Sequence, residues 1–247
     1  LINKYLELSK REPGELSLVQ RESLPSYYPK KGFGEIANRI GKQIKSNGGK
    51  IHTSHEVSEI ILNSNNLFDV KTKDKTFSGD ILISTIPLNR VITKIKPLNE
   101  TEIIQSAKKL EYLSLVMLYL ITKKKKFLDC QYSYFLDTPY NRIMDMNNIS
   151  ENSSPQDENI LAVEITCHYE SDIWKSSDKE IFSMCIQGLE KDNFIKKEDI
   201  TDYKVLKVPN VYPIYRKDYD IYLKETQECF KKIKNFYSIG RQGQFYY

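Results

Sequence analysis

Long apolar runs are missing from this sequence. The longest, around residues 113–121, has the length of a β-strand and falls well short of the roughly 20 residues that a membrane-spanning helix requires. No integral membrane segment is expected. Cysteine is scarce as well: the four, at positions 130, 167, 185 and 229, form no C-x-x-C pair. They suggest neither a zinc knuckle nor a disulfide framework, and read as reduced thiols of a cytoplasmic protein. Charge of one sign is not in excess. Lys and Arg number 37 against 33 Asp and Glu, and the net charge of +4 makes no electrostatic case for nucleic acid. Histidine occurs three times. His52 and His55 form an H-x-x-H pair in a stretch that reads as extended, where they would point to opposite faces, and His168 is remote, so no metal site is expected. G-x-S-x-G, H-E-x-x-H and Walker sequences are absent too, and the common hydrolase and NTPase chemistries lack their parts. No basic-then-apolar leader follows Leu1, which makes a start inside a longer gene the simpler reading.

What is present is a globular pattern. With 247 residues and 40% hydrophobic content the chain can build one large domain or two small ones around a buried core. Residues 1–27 read as a connector and helical segment, broken by Pro13-Gly14 and Pro25. Phe33, Ile36, Ala37, Ile40 and Ile44 recur at helical spacing, and Gly48-Gly49 supplies a stop where positive φ is cheap. Short strand pieces are expected over 50–55 and 57–62, and a hairpin over 68–77. The run Ile81-Leu82-Ile83-Ser84-Thr85-Ile86, closed by Pro87, suits a strand buried on both faces. Beyond Pro97 longer strands follow over 114–122, 131–137, 142–146, 160–167 and 203–208, with helices over 178–191 and 219–234, an antiparallel sheet with helices on one side. Lys123 to Lys126 reads as a solvated hairpin turn, and the polar stretch 147–159 as an exposed loop. A last strand, 236–239, runs into Gly240-Arg241-Gln242-Gly243, a glycine loop at the carboxyl end of a strand, where α/β sheets place ligands.

Gly32-Phe33-Gly34-Glu35-Ile36-Ala37 fits G-x-G-x-x-A in letters. The preceding prolines and lysines do not make the strand a dinucleotide fingerprint needs, although the helix N-terminus could still approach a ligand by its backbone. The 17 tyrosines stand against a single tryptophan. Tyr212, Tyr215, Tyr219, Tyr246 and Tyr247 either line a pocket for phosphates or sugars or simply fill half-buried strand positions.

Several stretches resemble a known family when taken in order. Tyr28-Pro29-Lys30-Lys31-Gly32-Phe33-Gly34-Glu35-Ile36, then Gly48-Gly49, Glu56-Val57-Ser58-Glu59-Ile60 and Ile83-Ser84-Thr85-Ile86-Pro87-Leu88, resemble the central part of FAD-dependent amine-oxidase-type flavoproteins. Asn141-Arg142-Ile143 with Glu164 and Asp172-Ile173-Trp174 is similar to the substrate domain of the subgroup close to UDP-galactopyranose mutase. Val211-Tyr212-Pro213-Ile214-Tyr215, leading to Tyr237-Ser238-Ile239-Gly240-Arg241-Gln242-Gly243, is similar to the end of that subgroup.

The resemblance implies an α/β plus α+β fold: a partial FAD-binding domain from residues 28–96 and 236–247, and a mixed antiparallel-sheet substrate domain from 97–235. It implies FAD contacts at Gly32, Phe33, Gly34, Val57, Thr85, Pro87, Gly240, Arg241 and Gly243. Substrate contacts fall at Arg142, Tyr212 and Tyr215, where the planar donor fork of arginine suits an anion. The activity implied is that of an FAD-dependent oxidoreductase, or of a flavin-dependent mutase (an isomerase) acting on a nucleotide sugar. The residues present hold no strong acid–base constellation, which favours the mutase-like case and leaves the catalytic residues unassigned. Departures from the family are plain. Its N-terminal G-x-G-x-x-G and ribose-binding acid do not occur here, nor do the asparagine and aspartate that follow its last glycine loop, and Lys31 stands where a glycine is usual. The isolated chain is thus expected to hold little or no FAD and to be inactive alone. The rival reading is a non-catalytic module whose tyrosine-rich sheet binds a carbohydrate or a protein.

Overall fold

A computed structural model describes residues 27–30, 32–63, 67–98, 101–123, 126–155 and 157–247. The expected segment 1–27 and the glycine-for-lysine departure at Lys31 therefore lie almost wholly outside the described residues, as do two of the lysines in the 123–126 turn. Helix α1 (Gly34–Ser46) forms where the apolar spacing predicts it and ends at Gly48, whose φ of +83° only glycine adopts freely. Its apolar stripe is nevertheless bare, since Ile36, Ile40 and Ile44 are all exposed and the helix buries no residue.

Strands β1 (Val57–Leu62), β2 (Phe68–Thr72) and β3 (Thr76–Gly79) form an antiparallel meander. Residues 50–55, expected as a strand, are irregular: Ser54 takes a φ of 59°, which breaks the extended run. His52 and His55 accordingly do not point to opposite faces; their rings lie 5.5 Å apart and both meet Phe77. Strand β4 (Leu82–Ser84) leads to helix α2 (Leu88–Val91), strand β5 (Ile95–Lys96), which pairs parallel to β1, and helix α3 (Thr101–Lys108). The run at 81–86 is not a strand buried on both faces. Ile81 and Ile83 are 62% and 60% exposed, because the three-residue strand has one neighbour and no described element lies across its outer face.

The larger sheet is built from β6 (Tyr112–Thr122), β7 (Tyr132–Tyr134), β8 (Arg142–Asp145), β9 (Asn159–His168) and β10 (Ile200–Pro213), antiparallel throughout in the order β10-β6-β9-β8-β7. Alternation along β6 sorts its two faces. Val116, Leu118 and Leu120 join Ile143, Leu161, Val163 and Ile165 in one core, and that core packs on Ile181, Cys185, Ile186 and Leu189. These last four belong to helix α6 (Asp178–Lys191), which starts with a full capping box between Ser177 and Glu180. Gly188 lets the helix close on the buried Tyr140, since a Cβ there would stand 3.0 Å from its ring. Short helices α4 (Met146–Ile149) and α5 (Asp172–Lys175) link the strands. No described helix is long and apolar enough to cross a membrane.

The stretch 147–159, expected as an exposed loop, opens in helix α4 and is exposed at Glu151, Asn152, Pro155 and Asp157, yet its own polar side chains anchor it. It is pinned, not a free loop: Asn159 is fully buried and donates through Nδ2 to Asp145 Oδ1 at 2.9 Å, while Asn147 and Ser154 both donate to the Glu158 carbonyl. Side-chain amides and hydroxyls replace the missing ladder partners, which composition alone does not reveal.

A second core joins the two sheets. Helix α7 (Tyr219–Lys231) and strand β11 (Phe236–Ser238) bring Phe230 and Phe236 against Ile60, Phe68, Leu88 and Ile95. Strand β11 pairs parallel to β4, and helix α8 (Gly240–Gly243) follows at once. Burial also decides thiol chemistry here. Cys130 is exposed, Cys167, Cys185 and Cys229 are buried, and burial pushes the Cys185 thiol up to about 12. A disulfide-exchange reagent at about pH 8 should titrate one thiol of the native protein quickly and four after urea, because only an accessible thiolate reacts. Four fast thiols in the native state would contradict this packing.

Candidate active site

The face of the large sheet opposite α6 carries the polar cluster. Directly opposed residues of antiparallel strands share a face, and Glu164 on β9 faces Met117 on one side and Arg142 on the other. Arg142 in turn faces Tyr134 on β7. Glu164 is only 5% exposed and both its oxygens are used. Oε2 accepts from Arg142 Nε at 3.1 Å and from Nη2, and Oε1 accepts from the Tyr212 hydroxyl at 3.1 Å. The third donor position of Arg142, Nη1, reaches the Tyr134 hydroxyl at 3.2 Å. Burial works against the charge on Arg142, yet the hydrogen bonds and charge of Glu164 outweigh it and hold the guanidinium more firmly protonated than usual. Burial and the nearby Glu164 carboxylate raise the phenol pKa values of Tyr212 and Tyr119, with Tyr28 a further contributor at Tyr119, so both phenols stay neutral.

The glycine turn meets this cluster from the side. The carboxyl ends of β4 and β11 lie next to each other: Ile239 N–H donates to the Ser84 carbonyl at 2.9 Å, and the Thr85 methyl approaches Gly240. Gly240 has a φ of +74°, and a Cβ on Gly243 would fall 2.8 Å from Ser238 Oγ and 3.1 Å from the Ser84 oxygen, so neither position tolerates a side chain. Two hydrogen bonds tie the turn to the large sheet, from the Tyr112 hydroxyl to the Gln242 carbonyl at 2.8 Å and from Gln242 Nε2 to the Val211 carbonyl at 3.0 Å. Gln242 Oε1 is buried without a partner. Arg241 then lays its guanidinium over Tyr247 at 4.4 Å and over Tyr212 at 5.2 Å. Among the described residues its side chain makes no ion pair or hydrogen bond.

The two arginines singled out by the sequence therefore meet at one tyrosine, Arg241 on its ring and Arg142 through Glu164. Thr85, Gly240 and Gly243 line the same junction, and Pro87 caps α2 just beyond it. The Tyr215 ring packs on Tyr219 and Phe245. Gly32, at φ +84°, and Gly34 bracket Phe33, which is exposed and stands edge-on to Tyr28. Val57 opens β1 and its carbonyl accepts from Lys94 Nζ. No hydrogen bond, ion pair or ring contact joins these last four residues to the Arg241 cluster. Among the described residues no group of three or more side chains is arranged to hold a metal ion. Gln242 and Tyr112 escaped the sequence reading because nothing marks them there. Tyr247 was visible only as one tyrosine among many.

Residues 9–240 match the family described as flavin-containing amine oxidoreductase. The chain belongs to that family. A comparison with curated proteins returns no match. Among solved structures, reduced UDP-galactopyranose mutase is similar with a TM-score of 0.74 and 22% identity over 87% of this chain and 46% of that one. An oxidoreductase from Methanosarcina mazei is similar at 0.61 and 15% over 86% and 49%, and a fatty acid isomerase from P. acnes at 0.60 and 11% over 83% and 46%. At these identities the likeness is one of fold. The chain spans about half the length of each of these relatives.

Proposed function

We propose that this chain supplies the substrate face and part of the cofactor seat of a flavin-dependent enzyme whose substrate is a small hydroxylated molecule with an anionic group. The observation that carries this reading is Arg241: a guanidinium with no acidic partner among the described residues, held on two aromatic faces where parallel strand ends meet an open sheet. The residues present fit the flank of FAD. Gly240 and Gly243 keep the turn free of side chains, and the buried Gln242 Oε1 lacks a donor. FAD, when bound, would accept or return an electron pair, which serves either redox turnover or a rearrangement of a sugar ring. The chain's own side chains bind and orient. Arg241 takes the anion, Tyr212 is fixed by its hydrogen bond to Glu164, and Tyr247 shields the guanidinium from water on one side. The exposed phenols of Tyr132 and Tyr134 beside Arg142 support a hydroxylated substrate such as a sugar phosphate over a simple amine. Free cysteines support a reducing compartment such as the cytoplasm.

The holoenzyme should absorb in the visible as bound flavin does. In that protein Arg241→Ala should weaken the binding of inorganic phosphate by about 1.5–3 kcal/mol, the range for a hydrogen bond to a charged group, with flavin content and Tm unchanged. Unaltered phosphate affinity in the variant would remove Arg241 from the site.

A further inference from the structure

We infer that Glu164 sets the number of anionic groups the substrate carries: by occupying Arg142 it limits the site to one, a monophosphate or a carboxylate, and disfavours a diphosphate. The inference rests on the reading of Arg241 as the anion's partner. Two arginines approach Tyr212, but only Arg142 has its charge neutralised by a carboxylate, and among the described residues Arg241 has no such partner. Arg142 gives Nε and Nη2 to Glu164 and Nη1 to Tyr134. Glu164 cannot follow a departing Arg142 into solvent. It sits on β9 with a strand hydrogen-bonded on each side, at 5% exposure, and its other oxygen is held by the Tyr212 hydroxyl. A second phosphate that took Arg142 would leave that carboxylate buried without its cation and facing a new negative charge, and both effects oppose binding. With the phenol of Tyr212 held neutral, the cluster Arg142, Glu164, Arg241 presents one net positive charge to a ligand. A single anionic group matches it, and the tyrosine hydroxyls along β7 remain for neutral hydroxyls.

Inorganic phosphate and inorganic pyrophosphate, titrated separately into the FAD-loaded holoenzyme by calorimetry, test this. The wild type should bind the two with affinities within about tenfold of each other, since among the described residues the second phosphate finds no cation free of a carboxylate beside Arg241. Glu164→Gln keeps the shape and one acceptor while removing the charge, and should raise pyrophosphate affinity by about tenfold or more relative to phosphate. A purely structural role for Glu164 would lower both affinities together and leave their ratio alone. A wild-type preference for pyrophosphate well above tenfold, or an unchanged ratio in a folded Glu164→Gln, would overturn the inference. The wild-type titration decides even where the variant does not fold. Failure of the underlying reading looks different: phosphate would then bind Arg241→Ala as well as it binds the wild type.

Discussion

Asp145→Ala should cost about 3–5 kcal/mol of unfolding free energy, measured as a drop in the urea midpoint. The side chain has no solvent exposure, and its two oxygens accept four hydrogen bonds. Phe127 N–H at 2.8 Å and Leu128 N–H at 3.3 Å meet Oδ2, and Asn147 N–H at 3.2 Å and Asn159 Nδ2 at 2.9 Å meet Oδ1. Alanine leaves these donors facing a cavity, and each unsatisfied buried donor costs about 1–3 kcal/mol, a penalty partly relieved by water entering the space. Asp145→Asn keeps one acceptor and should fall between the two. An alanine variant within about 0.5 kcal/mol of the wild type, the range of an ordinary surface change, would show that the carboxylate does not organise this end of the sheet.

Arg142→Met should be nearly as damaging, at about 3–5 kcal/mol, because it strands Glu164 in a buried position with a charge and no cation. The decisive comparison is the double variant Arg142→Met/Glu164→Gln, which removes both charges and should regain most of the loss. A thermodynamic cycle over the four proteins isolates the pair. If Arg142 served a ligand alone, the single variant would unfold like the wild type. If it were only a fold element, the gain in pyrophosphate affinity expected for Glu164→Gln would survive in the double variant.

The large sheet was legible because its strands are long, apolar and partly alternating. Val116, Leu118 and Leu120 define one face of β6, and the partner strands repeat the pattern, so existence, order in the chain and burial follow from period two. The lone acid in Ile-Leu-Ala-Val-Glu-Ile-Thr-Cys was also a signal, since a carboxylate in a buried strand requires a cation beside it. Its partner, Arg142, could be singled out from the resemblance but not matched to Glu164, because register between strands is set by loops whose lengths carry no pairing code. The run at 81–86 misled for a related reason. Apolar residues without alternation indicate what a strand is suited to pack against, not whether that layer is among the described residues, and Ile81 and Ile83 are exposed. Asn147 and Asn159 were taken as solvent-loving by type, whereas their amides serve as internal substitutes for backbone partners.

The pairing of β4 with β11 also governs when the protein can fold. The two strands share a parallel ladder from Leu82 opposite Phe236 to Ser84 opposite Ser238, yet the entire five-stranded sheet is encoded between them. Among the described residues β4 has one ladder partner, and that partner, β11, is translated only after the whole intervening sheet. The intervening sheet, closed mostly by contacts nearer in sequence, can consolidate first, and the junction that holds Arg241 then forms last across the longest loop. Until that moment the edge of β4 that pairs with β11, with the apolar side chains of Ile81 and Ile83 beside it, is open to stray strand pairing.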